Sequence, residues 1–258
     1  MKQIDVNCDM GESFGQYKMG NDEEFIKYIS SANAACGFHA GDPLVMRKTV
    51  ALAKKYNVAV GAHPGFPDLM GFGRRVMKAE RAEIENYVLY QIGALKIFLE
   101  IHGMRLQHVK PHGALYNMAV DDENVAESVV QGIVQADPSL IFLAFAGRKG
   151  EKMAGIAWKA GLKIAHEAYP DRAYLPTGAI APRRQPGAVL EDPNEIVERA
   201  LRMALEGKVK ATDGTILDLQ VDTICFHGDN LANVQSLQKL QGTMKDANVK
   251  ISPMATFL

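Results

Sequence analysis

Residues 61–75, GAHPGFPDLMGFGRR, set His63, Asp68, Arg74 and Arg75 among four glycines and two prolines. That density of breakers excludes helix and ordinary strand, so the stretch is a loop. Its side chains suit proton transfer and anion binding, and the apolar run 58–60 before it places His63 at or just past a strand end. A surface loop with incidental charges could look the same, but the pattern recurs. Asp9 and Glu12 follow a first strand-like segment, and His39 and Asp42 a second. Lys110 and His112 follow a fourth, Glu167 and Asp171 a sixth, His227 and Asp229 a seventh. A carboxylate with two histidines can hold a divalent metal and activate water, with Asp9, His39 and His63 as candidate ligands. The same groups can equally form a metal-free acid–base set, and no HExxH or similar spacing decides between the two. Lys110 near His112 suits an oxyanion or phosphate, while Arg74, Arg75, Arg172 and Arg183 offer planar forks for a carboxylate or phosphate.

The positioning elements follow from periodicity and caps. Residues 3–9 alternate, with Ile4, Val6 and Cys8 on one face and Asp5, Asn7 and Asp9 on the other. Asn21, with Glu24 at N3, caps a short helix; 31–37, all small residues, reads as a buried strand. Asp42-Pro43 starts a helix to Tyr56, and 58–62 is the third strand. A helix runs from Glu80 to a stop at Gly103, and strand 107–112 puts His108, Lys110 and His112 on one side. Asp121 caps the next helix, 140–145 is an apolar strand, 150–160 a helix and 162–167 the sixth strand. After a loop at 169–186, a capping box at Asp192 and Glu195 opens a helix ending near Gly207. Residues 208–219 make a connection or small hairpin, and 223–227 is the seventh strand. Asp229 caps a helix to about Lys245, and 249–252 is an eighth strand or a closing tail.

Strand–helix alternation repeated about seven times predicts a parallel α/β fold. In a barrel all the C-terminal strand ends converge on one mouth, whereas an open sheet gathers ligands at its switch point. Ionisable residues at nearly every strand end therefore favour a single (β/α) barrel domain over 1–258. Net charge is −1 with no basic, aromatic-interleaved block, which argues against nucleic acid as a partner. No apolar stretch is long enough to span a membrane and no signal-like start is present, so a cytoplasmic location is expected. Cys8, Cys36 and Cys225, without CxxC spacing, read as reduced thiols. Several residues have ordinary roles available: Asp42 and Asp229 as caps, His108 as a packed core histidine, Cys8 facing the helices and Trp158 in helix packing. His102 and His166 read as structural or exposed, and Cys225 shares the face of His227 but lies deeper. Neither a GxxxxGK[ST] loop, a Rossmann fingerprint nor a GxSxG elbow occurs.

The segments VNCDMGESFG, SANAACGFHAGDP, GAHPGFPDLMGFGRR, VKPHGALYN and CFHGDN occur in order from residue 6 to 230. With them the chain closely resembles the LamB/YcsF family, the A subunits of prokaryotic 5-oxoprolinase. Two departures stand out: EAYPDR, with Tyr169 and Pro170 where Phe and Ala are expected, and TGAIAPR, with Ala181 before Pro182. The resemblance implies a seven-stranded barrel similar to the glycoside hydrolase/deacetylase superfamily. It implies ATP-dependent opening of 5-oxo-L-proline to L-glutamate, with ATP (and Mg) as co-substrate and the B and C subunits of 5-oxoprolinase as partners. The catalytic candidates are then Asp9, Glu12, His39, His63, Lys110, His112, Glu167 and His227. The substrate-binding candidates are Asn7, Asn33, Arg74, Arg75, Asp171, Arg172 and Arg183. A metal-dependent amidase or carbohydrate deacetylase, and a non-catalytic protein that binds substrate for its partners, are the alternatives.

Overall fold

Seven parallel strands close on one another in the computed structural model, which describes residues 1–228 and 232–258. They are β1 (Lys2–Met10), β2 (Ser31–Ala35), β3 (Ala59–His63), β4 (Leu106–Val109), β5 (Ile141–Phe145) and β6 (Lys163–Ala168), with a seventh formed later in the chain. Between β6 and that strand an antiparallel hairpin, β7 (Lys208–Lys210) and β8 (Ile216–Asp218), stands apart, as 208–219 allowed. The seventh barrel strand, β9 (Thr223–Phe226), pairs with β6 on one side and with β1 on the other, which closes the barrel. The tail strand β10 (Val249–Ile251) is an outrigger, paired only with the start of β1.

The helices are α1 (Asp22–Phe25), α2 (Pro43–Tyr56), α3 (Arg81–Ile101), α4 (Gly113–Asp121), α5 (Glu123–Ala136), α6 (Glu151–Lys159), α7 (Pro193–Glu206) and α8 (Ala232–Asp246). The Asp42 carboxylate accepts from the Leu44 and Val45 amides to start α2, and Glu80 and Glu83 form a reciprocal capping box at α3. Five expectations need correcting. The fourth strand stops at Val109 rather than 112, so Lys110 lies past it and His112 is the N-cap of a further helix, α4, which follows directly. The helix from Glu123 is therefore capped by Asp122, while Asp121 pairs with Lys149. Asn21 makes no capping hydrogen bond, and Asp192 caps α7 through the Asn194 amide without a reciprocal box. Trp158 is 72% exposed rather than packed. Asp229 lies outside the described residues.

Strand alternation sorts the core into two regions. Ile4, Val6, Cys8 and Met10 of β1 face the helices in the large apolar core, with Val50, Ile92 and Leu240. The opposite faces fill the barrel. On the β5–β6 side its filling is apolar: Ile141, Leu143 and Ala165 pack on Met254, which comes from the C-terminal turn and is wholly buried. Across β1, β2, β4 and β9 it is polar and hydrogen-bonded throughout. Asp5 accepts from Ser30, Ser31 and Thr223, Asn7 donates to Thr223 at 2.7 Å, and Asn33 donates to Asn7 and to Asp9. Burial pushes the Asp5 carboxyl up to about 6 despite these hydroxyl donors.

His108 joins this column, as a packed histidine should, with Nε2 at 2.7 Å from Asn33 Oδ1 and Nδ1 at 3.1 Å from Gln107. Its ring lies across β3 where Gly61 stands, and a Cβ on Gly61 would sit inside it. Gly61→Ala therefore forces either the ring or β3 to move, an overpacking of a rigid interior. We expect a loss of about 3 kcal/mol or more in chemical denaturation, and a smaller loss when His108→Ala is combined with it. Equal losses in the two backgrounds would show that the ring does not require the glycine.

Candidate active site

The described strand-end residues, Asp42 apart, meet at the C-terminal end of the barrel, and their centre is Lys110; Asp42 serves as the cap of α2. Its Nζ lies 2.8 Å from Asp9 Oδ1, 2.9 Å from Glu167 Oε1 and 3.1 Å from Cys225 Sγ. The side chain is 4% exposed and Glu167 not at all, so this is a buried ion triad. Burial works against the ammonium, but Asp9, Cys225 and Glu167 outweigh it and hold its pKa well above the usual lysine value. Burial likewise pulls Asp9 upward, yet His63 and Lys110 hold its carboxyl well below the usual range, so it is ionised. Glu167 is further bound by the Tyr169 hydroxyl at 2.5 Å and the Tyr116 hydroxyl at 3.4 Å.

The second group is a cluster of rings. His63 Nε2 is 3.4 Å from Asp9 Oδ2 and 2.9 Å from His112 Nδ1. His39 stacks on His112, centroids 3.7 Å apart and planes within 4°, and its Nε2 is 3.8 Å from Glu12 Oε1. Burial first, and then the neighbouring imidazoles, hold His39 and His112 well below the ordinary histidine pKa, so both are neutral. Asp9 and Glu12, which both follow β1, divide between the two groups, with Asp9 on Lys110 and Glu12 towards His39 and His112. Gly73, at φ +63°, makes the cluster possible, since a Cβ there would lie 2.6 Å from His39 Cβ and 2.8 Å from His112 Cδ2.

The third group is a carboxylate–histidine pair. His227 Nδ1 is 2.8 Å from Asp171 Oδ2, which also accepts from Asn233 at 2.9 Å, and the imidazole stacks on Tyr169. Asp171 thus orients His227. Asn7 and Asn33 are wholly buried beneath Asp9, in the interior column. Arg172 donates to the Ala181 and Ala188 carbonyls and so shapes the 169–190 loop. Arg75, 67% exposed, is paired with Asp68, which also caps the turn at Leu69–Gly71. Arg74 is exposed over the Phe72 ring, and Arg183 is half-buried near Arg172.

Sequence reasoning missed Tyr116, Tyr169 and Asn233, which hold the ionisable groups rather than titrate near neutrality themselves. Tyr169 did leave a signal, as a hydroxyl where the family resemblance leads one to expect phenylalanine. The packing of Lys110 yields a prediction. Lys110→Met leaves two carboxylates buried without a counter-ion and should cost ~3–5 kcal/mol at pH 7. Without the ammonium the Asp9 carboxyl takes up a proton more readily, so the difference from wild type should shrink as pH falls towards 4 in urea titrations. A pH-independent difference would mean that the loss is one of packing.

Known proteins resemble this chain along its whole length. The LamB/YcsF family matches residues 4–258. The A subunit of 5-oxoprolinase from Pyrococcus horikoshii is 54% identical over 256 residues, covering 99% of each chain. That of Natranaerobius thermophilus is 52% identical over 257 residues, covering 100% of this chain and 99% of the relative. The crystal structure of a lactam utilization protein from Thermus thermophilus superposes with a TM-score of 0.90 at 46% identity, covering 98% of this chain and 99% of that one. The catalytic domain of a peptidoglycan N-acetylglucosamine deacetylase from Eubacterium rectale shares the fold, with a TM-score of 0.50 at 11% identity over 98% and 88% of the two chains.

Proposed function

The chain belongs to the LamB/YcsF family, and from that premise we propose that it is a hydrolase of 5-oxoproline metabolism. In this reading it opens 5-oxo-L-proline to L-glutamate, coupled to ATP hydrolysis, as one component of a multisubunit enzyme. The names of its relatives support the substrate and the assembly. The observation that carries the chemistry is an ionised carboxylate, Asp9, held by Lys110 at 2.8 Å, at the strand end next to that of an imidazole, His227, oriented by Asp171 at 2.8 Å.

Asp9, clamped by Lys110, receives the proton of an attacking water. His227, oriented by Asp171, gives a proton to the ring nitrogen as the C5–N bond breaks. A carboxylate held well below its usual range is a weak base, which suits attack on an electrophile that has already been activated. ATP, with Mg2+, supplies that activation by transferring its γ-phosphoryl group to the amide oxygen, releasing ADP. Attack by one water and cleavage of C5–N then leave an acyl phosphate, which a second water converts to glutamate and phosphate. Arg74 and Arg183 are the candidate forks for the substrate carboxylate in this reading. With no phosphate-loop motif in the sequence, this reading puts nucleotide binding at the junction with the B and C subunits.

The test is glutamate formation by the chain alone and reconstituted with its partners, with and without ATP. We expect formation only with ATP and partners, and Asp9→Asn to lower kcat ~10²–10⁴-fold. Asn at this position keeps an oxygen towards Lys110 and Asn33 but gives up the charge, so melting should fall while Glu167 still pairs with Lys110, and activity is compared per folded protein. ATP-independent cleavage by the isolated chain would favour a metal-assisted amidase. Full activity of Asp9→Asn in the complex would remove this site from the chemistry and leave a protein that only binds substrate.

A further inference from the structure

His63 and His112 are held so that one ring nitrogen of each faces the other. His63 Nδ1 is 2.7 Å from the Lys110 carbonyl oxygen, and His112 Nε2 is 2.9 Å from the Phe72 carbonyl oxygen. A carbonyl can only accept, so each ring carries its proton on that outer nitrogen. The inner atoms, His63 Nε2 and His112 Nδ1, are only 2.9 Å apart, with Asp9 Oδ2 3.4 Å from His63 Nε2, so the contact calls for a cation: a proton on His63, or a metal ion that binds both nitrogens. Fixing the tautomer through a backbone carbonyl is also what metal-binding histidines require.

His39 adds an independent observation. It is wholly buried, and neither of its ring nitrogens has a hydrogen-bond partner among the described residues. One donor atom each from Glu12, His39, His63 and His112 lies within 4.8 Å of all the others. We propose that these four side chains bind one divalent first-row transition metal ion, of the zinc class.

Imidazoles with a carboxylate are the donor set such ions favour. Bonds of ~2.1 Å in a tetrahedral site put donors about 3.4 Å apart. The separations here, 2.9 Å for His63–His112, 3.8 Å for His39–Glu12 and 4.0 Å for His112–Glu12, bracket that value. The parallel stack of His39 on His112 keeps those two lone pairs from converging, so binding turns the His39 ring out of the stack. The set keeps His39 and His63 of the triple expected from sequence and uses Glu12 and His112 in place of Asp9. Asp9 Oδ1 is already held by Lys110 at 2.8 Å and by Asn33 at 2.8 Å.

The proposal concerns binding alone and stands whether or not the substrate is 5-oxoproline. The full chain, stripped with a chelator, is equilibrated with Zn2+ and analysed for bound metal, and in parallel with Co2+ and read by visible absorption. One ion per chain is expected, with the d–d bands of Co2+ held by nitrogen and oxygen ligands. His63→Ala and His112→Ala should each weaken Zn2+ binding beyond the ~10–100-fold that loss of an outer-shell partner costs. His166→Ala, removing a ring that pairs with Asp222 instead, should bind as wild type does. Wild-type protein that takes up neither ion would overturn the proposal, as would unchanged affinity in the His63 and His112 variants. Because the first of these results needs no variant, a substitution that fails to fold leaves the question decidable.

Discussion

The structure turns on one ammonium group placed where water cannot reach it. Lys110 sits at the top of the barrel between Asp9 and Glu167, with the Cys225 sulfur completing its surroundings. Desolvating three charges is expensive, and the cost is offset only when the geometry is close and every remaining lone pair is engaged. Here that condition is largely met by neighbours with no charge of their own: Asn33 on Asp9, and Tyr116 and Tyr169 on Glu167. The consequence is an ionised carboxylate fixed at the mouth. Its contribution to stability is complete above the ordinary aspartate pKa and fades as pH falls through the depressed value.

What holds the triad in place is the uneven filling of the barrel. An apolar plug of Ile141, Leu143, Ala165 and Met254 packs one side of the interior. The other side is a column of short polar side chains, running from Asp5 through Thr223, Asn7 and Asn33 to Asp9. Each group in that column spends its hydrogen bonds on the next, so the orientation of Asp9 is set by residues far below it. The same logic operates on the histidines. Backbone carbonyls at Lys110 and Phe72 fix the tautomers of His63 and His112, and Gly73 leaves room for the stacked rings.

Much of this was legible in the sequence because it rests on period and position. The alternation in β1 separated Asp5, Asn7 and Asp9 from Ile4, Val6 and Cys8, and it did so correctly. Ionisable residues at successive strand ends implied one mouth, and the barrel supplies it. The segment 107–112 was misjudged because Pro111 ends the strand while His112 begins a helix, and period-2 alternation cannot distinguish a strand from its extended exit. Pair assignments were beyond reach for a different reason. Whether Arg75 meets a substrate or Asp68, and whether Glu12 faces Asp9 or the histidines, depends on loop paths that glycine leaves open. Exposure of Trp158 was likewise invisible, since a lone aromatic on α6 carries no directional signal.

The central claim is that His63 and Lys110 together keep Asp9 ionised inside the barrel. The direct measurement is the titration of the Asp9 side-chain carboxyl carbon by NMR in the folded protein, from neutral pH downward. The account predicts that this signal stays at its ionised position through and well below the ordinary aspartate midpoint of about 3.9. An Asp9 midpoint at or above that value, with the protein still folded, would contradict it.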